Sequence, residues 1–228
     1  MDSRALDRQA RTQNQSVESM IPSDVLLLFV AASAALAVSP GPDNIFVLTQ
    51  SAMHGRKAGL LVTLGLCSGL LAHIAAVALG VAALLQTSAI AFTALKIVGA
   101  AYLLYLAWQA FRAGATQSLS AAEASLSARS LYVRGIVMNV TNPKVAVFFL
   151  AFLPQFVDPA RGAPSIQIIT LGVVFMLTAL VIFSGIAWGA SRIGTWLRQS
   201  TRAQIAINRL AGTVFVLLAC RLALSRQA

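Results

Sequence analysis

Ala34-Ala35-Leu36-Ala37-Val38-Ser39-Pro40-Gly41-Pro42-Asp43-Asn44-Ile45-Phe46-Val47-Leu48 is apolar on both sides of a double-proline break. A second break, Asn139-Val140-Thr141-Asn142-Pro143-Lys144, interrupts another apolar stretch later in the chain. A proline inside a membrane helix removes a donor and frees a carbonyl, and in hydrocarbon such groups survive only where protein or a wet cavity satisfies them. Each break also carries one charge, Asp43 in the first and Lys144 in the second. Charges at membrane depth are costly and mark sites. Broken helices at matching places in two halves of a chain point to a transport site.

The surroundings of the breaks support a membrane setting. The 228 residues are 58% hydrophobic and 11% charged, against about 45–50% apolar and about 25% charged in soluble domains. A span needs about 20 apolar residues, and six stretches qualify: Val25 to Ser51, Gly59 to Leu85, Ala89 to Phe111, Leu131 to Pro154, Ile166 to Ile193 and Ile205 to Leu224. The first must run through its break, because Val25 to Val38 alone would rise only about 21 Å of a core roughly 30 Å thick. The expected fold is all-α, with six transmembrane helices of which the first and fourth are broken.

Lys and Arg gather on the cytoplasmic side of short loops. The first loop holds Arg56 and Lys57, the third Arg112, Arg129 and Arg134, and the fifth Arg192, Arg198, Arg202 and Arg209; the second, Gln86-Thr87-Ser88, has none, and the fourth only Arg161. Loops one, three and five are therefore expected inside and both termini outside, although Arg221 and Arg226 run against that. A linker over 112–130 separates repeat one, 24–111, from repeat two, 131–224. With three spans apiece the two must be inverted in the membrane, and setting Pro42 on Pro143 places Asp43 against Lys144.

Residues 1–19 are polar, with Arg4, Arg8 and Arg11 and no apolar core of a signal peptide. They read as a disordered tail or a misplaced start, with translation beginning at Met20 and residues 20–228 forming one transporter domain. The net charge of +10 lies between apolar segments rather than on an aromatic-interleaved basic face, so no nucleic-acid partner is expected. Cys67 and Cys220 sit in apolar runs without metal or disulfide spacing. No nucleotide-binding loop is present, and no nucleophile with a positioned base, so an ion gradient rather than ATP, and transport rather than enzymatic catalysis, are indicated. No metal site and no cofactor is called for.

The candidate binding or coupling set is Ser39, Pro40, Gly41, Pro42, Asp43, Asn44, Asn139, Thr141, Asn142, Pro143 and Lys144. Asp43 and Lys144 could pair with each other or hold the ammonium and carboxylate of a zwitterion. Helix N-termini starting at the prolines would offer N–H groups and a positive dipole end to an anion. Alternatively the prolines are only kinks, with both charges capping helix ends. His73, with an ordinary pKa of about 6.5, suits a proton-coupled step, although a lone His among Ala and Leu more often packs through a hydrogen bond. Lys96 lies deep enough in the third span either to meet a carboxylate or to snorkel. Gly65, Gly69, Gly80, Gly99, Gly185 and Gly189 suit close helix approach, the last pair also a homodimer face. Trp108, Trp188 and Trp196, with Tyr102, Tyr105 and Tyr132, read as interface anchors.

Taken together, Ser39-Pro40-Gly41-Pro42-Asp43, Gly55-Arg56-Lys57-Ala58-Gly59, the run from Leu95 to Leu106, and Asn142-Pro143-Lys144 followed by Phe148-Phe149-Leu150-Ala151-Phe152-Leu153-Pro154-Gln155-Phe156 resemble the lysine exporter (LysE) superfamily, and within it the homoserine/threonine resistance branch. The resemblance runs from about Met20 to Leu224. It implies a bacterial inner-membrane exporter of amino acids such as homoserine, threonine or leucine, coupled to protons or another ion. A divalent metal cation exporter of the same superfamily is the alternative, and it would need several oxygen ligands converging in the membrane.

Overall fold

The computed structural model describes residues 20–39, 41–87, 89–112 and 126–224. The tail over 1–19 and Pro40 lie outside them. Among the described residues the chain is helical throughout: α1 Ser23–Val38, α2 Pro42–His54, α3 Arg56–Thr87, α4 Ala89–Arg112, α5 Ala128–Val140, α6 Pro143–Val147, α7 Pro164–Gln199 and α8 Thr201–Leu224. Both expected breaks occur. α1 and α2 meet at 61°, and α5 meets the segment Pro143–Phe156 at 48°. Beyond α6 the backbone widens into a π-helix over Phe148–Phe152 and then tightens into a 3-10 turn over Leu153–Phe156.

Two helices are long and apolar enough to cross a bilayer, over Arg56–Gly80 of α3 and Pro164–Ala190 of α7, and each bent pair also passes when taken as one span. Among the described residues α8 contributes an apolar run over Ile205–Cys220. Large apolar side chains such as Leu27, Leu79, Val181, Leu210 and Leu217 are exposed. In water that surface would be a liability; against lipid it costs nothing.

Small residues set how the helices cross. A Cβ on Gly65 would lie 2.1 Å from the Tyr132 carbonyl, and one on Gly135 would lie 2.5 Å from that of Val62. Gly69 abuts Asn139 in the same way, so contacts climb α3 and α5 together and the two helices are parallel. Gly59 faces Ala187 whereas Gly172 faces Ile74, so α3 and α7 are antiparallel. Gly99 against Leu222 and Gly212 against Phe111 make α4 and α8 antiparallel too. Not every glycine serves packing as expected: Gly80 and Gly185 face open space, since each sits on the outward side of its helix.

The aromatic residues divide by position. Arg56 lies over Trp188 and Arg112 over Trp108, and Tyr102, Tyr105 and Trp108 form a ladder down α4. Exposed aromatic and basic pairs of this kind suit a membrane–water interface. Trp196 lies outside the described side chains. Inside, Phe29, Phe148, Phe149, Phe152, Phe156 and Phe175 form one ring cluster, with centroids 4.9 to 6.1 Å apart.

Candidate functional site

Each proline of the two breaks denies an N–H to the carbonyl four residues before it, and a side chain reaches each of those oxygens. Pro40 has no N–H for the Leu36 carbonyl, and the Lys144 ammonium donates to that oxygen at 3.1 Å and to the Ser39 carbonyl at 3.1 Å. The carbonyls of Ala37 and Val38, freed by the break before Pro42, accept from Asn44 Nδ2 at 2.7 and 3.4 Å. Pro143 has no N–H for the Asn139 carbonyl, which accepts instead from the Asn142 N–H at 3.0 Å, and His73 Nε2 lies 3.1 Å from the same oxygen. A carbonyl only accepts, so Nε2 carries the proton. His73 thus has the packing partner that its setting suggested, and its ring also lies against Phe149 at 5.7 Å.

Helices do restart at the prolines, with Pro42 and Pro143 as first residues of α2 and α6. The two N-termini differ. Gly41 gives α2 no side-chain cap, whereas Asn142 Oδ1 accepts the Lys144 N–H at 3.0 Å and closes α6. The expectation of two open N-termini therefore holds at one break only, because an asparagine precedes the second proline where a glycine precedes the first. The other end of the Asn142 amide, Nδ2, donates to Asp43 Oδ2 at 2.8 Å. Asp43 and Lys144 are close enough to interact electrostatically, yet they share no direct ion pair: the acid is held by Asn142, the ammonium by main-chain oxygens.

Both charges face one cavity, whose volume is ≈ 10 Å³, about the room one water needs. Its walls are Leu36, Ala37, Asp43, Leu70, Asn139, Lys144, Val145, Phe175, Ala179 and Phe183. Asp43 is 2% exposed, Asn139 2% and Lys144 8%. Asp43 Oδ1 and Asn139 Oδ1 have no hydrogen-bond partner. Two buried acceptors without donors, in one cavity with an ammonium, form a site that a cationic group would complete.

Of the residues singled out from sequence, Asp43, Asn139 and Lys144 line this cavity, while Ser39, Gly41, Asn44 and Asn142 support it from behind. Pro42 and Pro143 are exposed, and Thr141 turns away, its hydroxyl bonded to the Val137 carbonyl at 2.8 Å. The Lys96 side chain lies outside the described residues. Sequence reasoning missed Leu70, Phe175, Ala179 and Phe183. Within an all-apolar span no residue type distinguishes a cavity wall from a lipid face, and only the four-residue spacing of the last three hinted at one.

The family model for LysE type translocators matches residues 34–226, a range that includes both breaks. A homoserine/homoserine lactone efflux protein of Salmonella typhimurium is 35% identical over 200 residues, 88% of this chain and 96% of the relative. An uncharacterized membrane protein of Vibrio cholerae is 31% identical over 192 residues, 84% of this chain and 93% of the relative. A leucine efflux protein of Klebsiella pneumoniae subsp. pneumoniae is 28% identical over 198 residues, 86% and 93% respectively. No solved structure matches the chain.

Proposed function

The chain belongs to the LysE type translocator family, and from that membership and its cavity we propose that it exports small neutral amino acids across the bacterial inner membrane. The solute's ammonium is received by Asp43 Oδ1 and Asn139 Oδ1, its carboxylate by the Lys144 ammonium and the uncapped N-terminus of α2. The observation that carries this reading is the pair of donorless acceptors facing the same small space as Lys144. The names of two relatives, efflux proteins for homoserine and for leucine, agree with it. The divalent-cation alternative gains no support, since no group of three His, Cys, Asp or Glu converges among the described residues.

Six spans in two inverted repeats remain our reading of the architecture. The helix directions support it: a two-fold axis in the membrane plane would set α3 antiparallel to α7 and α4 antiparallel to α8, as found. In this reading Arg56, Lys57 and Arg134 lie at the cytoplasmic end and both chain termini outside. Export is driven by protons or another ion, with Asp43 the acid in the cavity and His73 bonded to the peptide group of Asn139 beside it. The open face at Gly185 is where a homodimer would form.

The test is efflux of labelled amino acid from proteoliposomes. Asp43→Asn and Lys144→Met should each lower export at least about tenfold, the cost of one charge-assisted bond of about 1.5–3 kcal/mol, while Leu79→Ala on the lipid face leaves it unchanged. Wild-type rates in Asp43→Asn would refute the assignment.

A further inference from the structure

We infer that Phe175, Ala179 and Phe183 form the side-chain subsite of this cavity, that it takes aliphatic side chains, and that Ala179 sets their largest size. This rests on Asp43, Asn139 and Lys144 being the zwitterion's partners. The three residues recur every four positions on the buried face of α7, and all three line the cavity. The polar groups of the wall are spent on the solute's ammonium and carboxylate. What remains, Leu36, Ala37, Leu70 and Val145 together with the α7 face, presents only apolar side chains. A hydroxyl or amide carried into that surface would lose its water without gaining a partner. An aliphatic chain loses nothing.

Ala179 is the smallest residue that α7 contributes to the wall. Phe175 is held by ring contacts to Phe148 at 5.1 Å and Phe149 at 5.0 Å, so that wall is fixed by its neighbours. Phe183 bounds the other side. Between them stands Ala179, the smallest of the three side chains and buried at 2% exposure in the cavity wall. As the walls part to admit a solute, the solute's own side chain enters there, and the residue at 179 decides how far.

The experiment compares export of alanine, leucine and homoserine by the full chain in proteoliposomes, for wild type, Ala179→Leu, Ala179→Gly and Asp43→Asn. Enlarging the side chain at 179 should lower the leucine-to-alanine ratio at least about tenfold, the scale on which apolar pockets discriminate by size. Reducing it to glycine should raise the ratio. Should Ala179→Leu fail to reach the membrane, the Ala179→Gly ratio decides. Ratios unchanged from wild type, with Asp43→Asn silent toward all three solutes, would overturn the subsite and leave the zwitterion partners standing. Wild-type protein exporting homoserine faster than leucine would overturn the aliphatic assignment, and Asp43→Asn at full rate would overturn both readings.

Discussion

Asn142 works in two directions. Its Oδ1 caps α6 and its Nδ2 holds Asp43, so a neutral amide places the two charges of the cavity without letting them neutralise one another. Gly41 matters for a related reason: a Cβ there would lie 3.1 Å from Lys144 Nζ. Its φ of −173° is extended backbone open to any residue, so Gly41→Ala should leave the fold intact and push the ammonium from its place. Apparent affinity for the exported amino acid should weaken by up to about tenfold, the value of a charged hydrogen bond disturbed rather than removed, with the melting temperature in detergent unchanged. A large drop in that temperature would show Gly41 to be structural. Asp43 and Lys144 were legible in the sequence because a charge inside an apolar run is too costly to persist without a partner or a task. The bridging by Asn142 was not, since an amide can meet many partners and only the fold chooses among them.

At the scale of elements, the prolines announced both bends, and the helix ends fell close to the apolar runs except at the end of α7, which continues past Ile193 to Gln199. The π-helix over Phe148–Phe152 was not read from the sequence, although Pro154, which has no N–H for the Leu150 carbonyl, follows it directly. The α3–α5 crossing was half legible. Gly65 and Gly69 suggested close approach, but the partner Gly135 stands on another helix and no spacing rule links them. Gly135→Ala would drive a methyl to within 2.5 Å of a main-chain oxygen, which no rotamer change can relieve. Such overpacking costs about 1–3 kcal/mol, and a lower melting temperature in detergent should report it. Gly80→Ala, facing open space, should be neutral or slightly stabilising, as alanine is the better helix former by up to about 1 kcal/mol.

For the whole molecule, parallel α3 and α5 place their N-termini at one end, while the turn around Asp158 and Arg161, tied by their ion pair at 3.1 Å, lies at the other. Counting spans along the sequence already puts α3 and α5 in the same direction, because successive crossings alternate, and loop charges add only the expected sidedness. It could not say which helices touch. With Cys220→Ser as background, single cysteines at Lys57→Cys and Ser130→Cys should react with a membrane-impermeant maleimide only after cells are opened, and Ala160→Cys should react in intact cells. Labelling of all three from one side would undo the proposed orientation. The tie across the first break has its own consequence for the transport cycle. Lys144, from the second half of the chain, supplies the donor that Pro40 denies to Leu36. On the proposed reading, a solute carboxylate that draws the ammonium toward itself would take it from that carbonyl and leave the first break without its cross-tie.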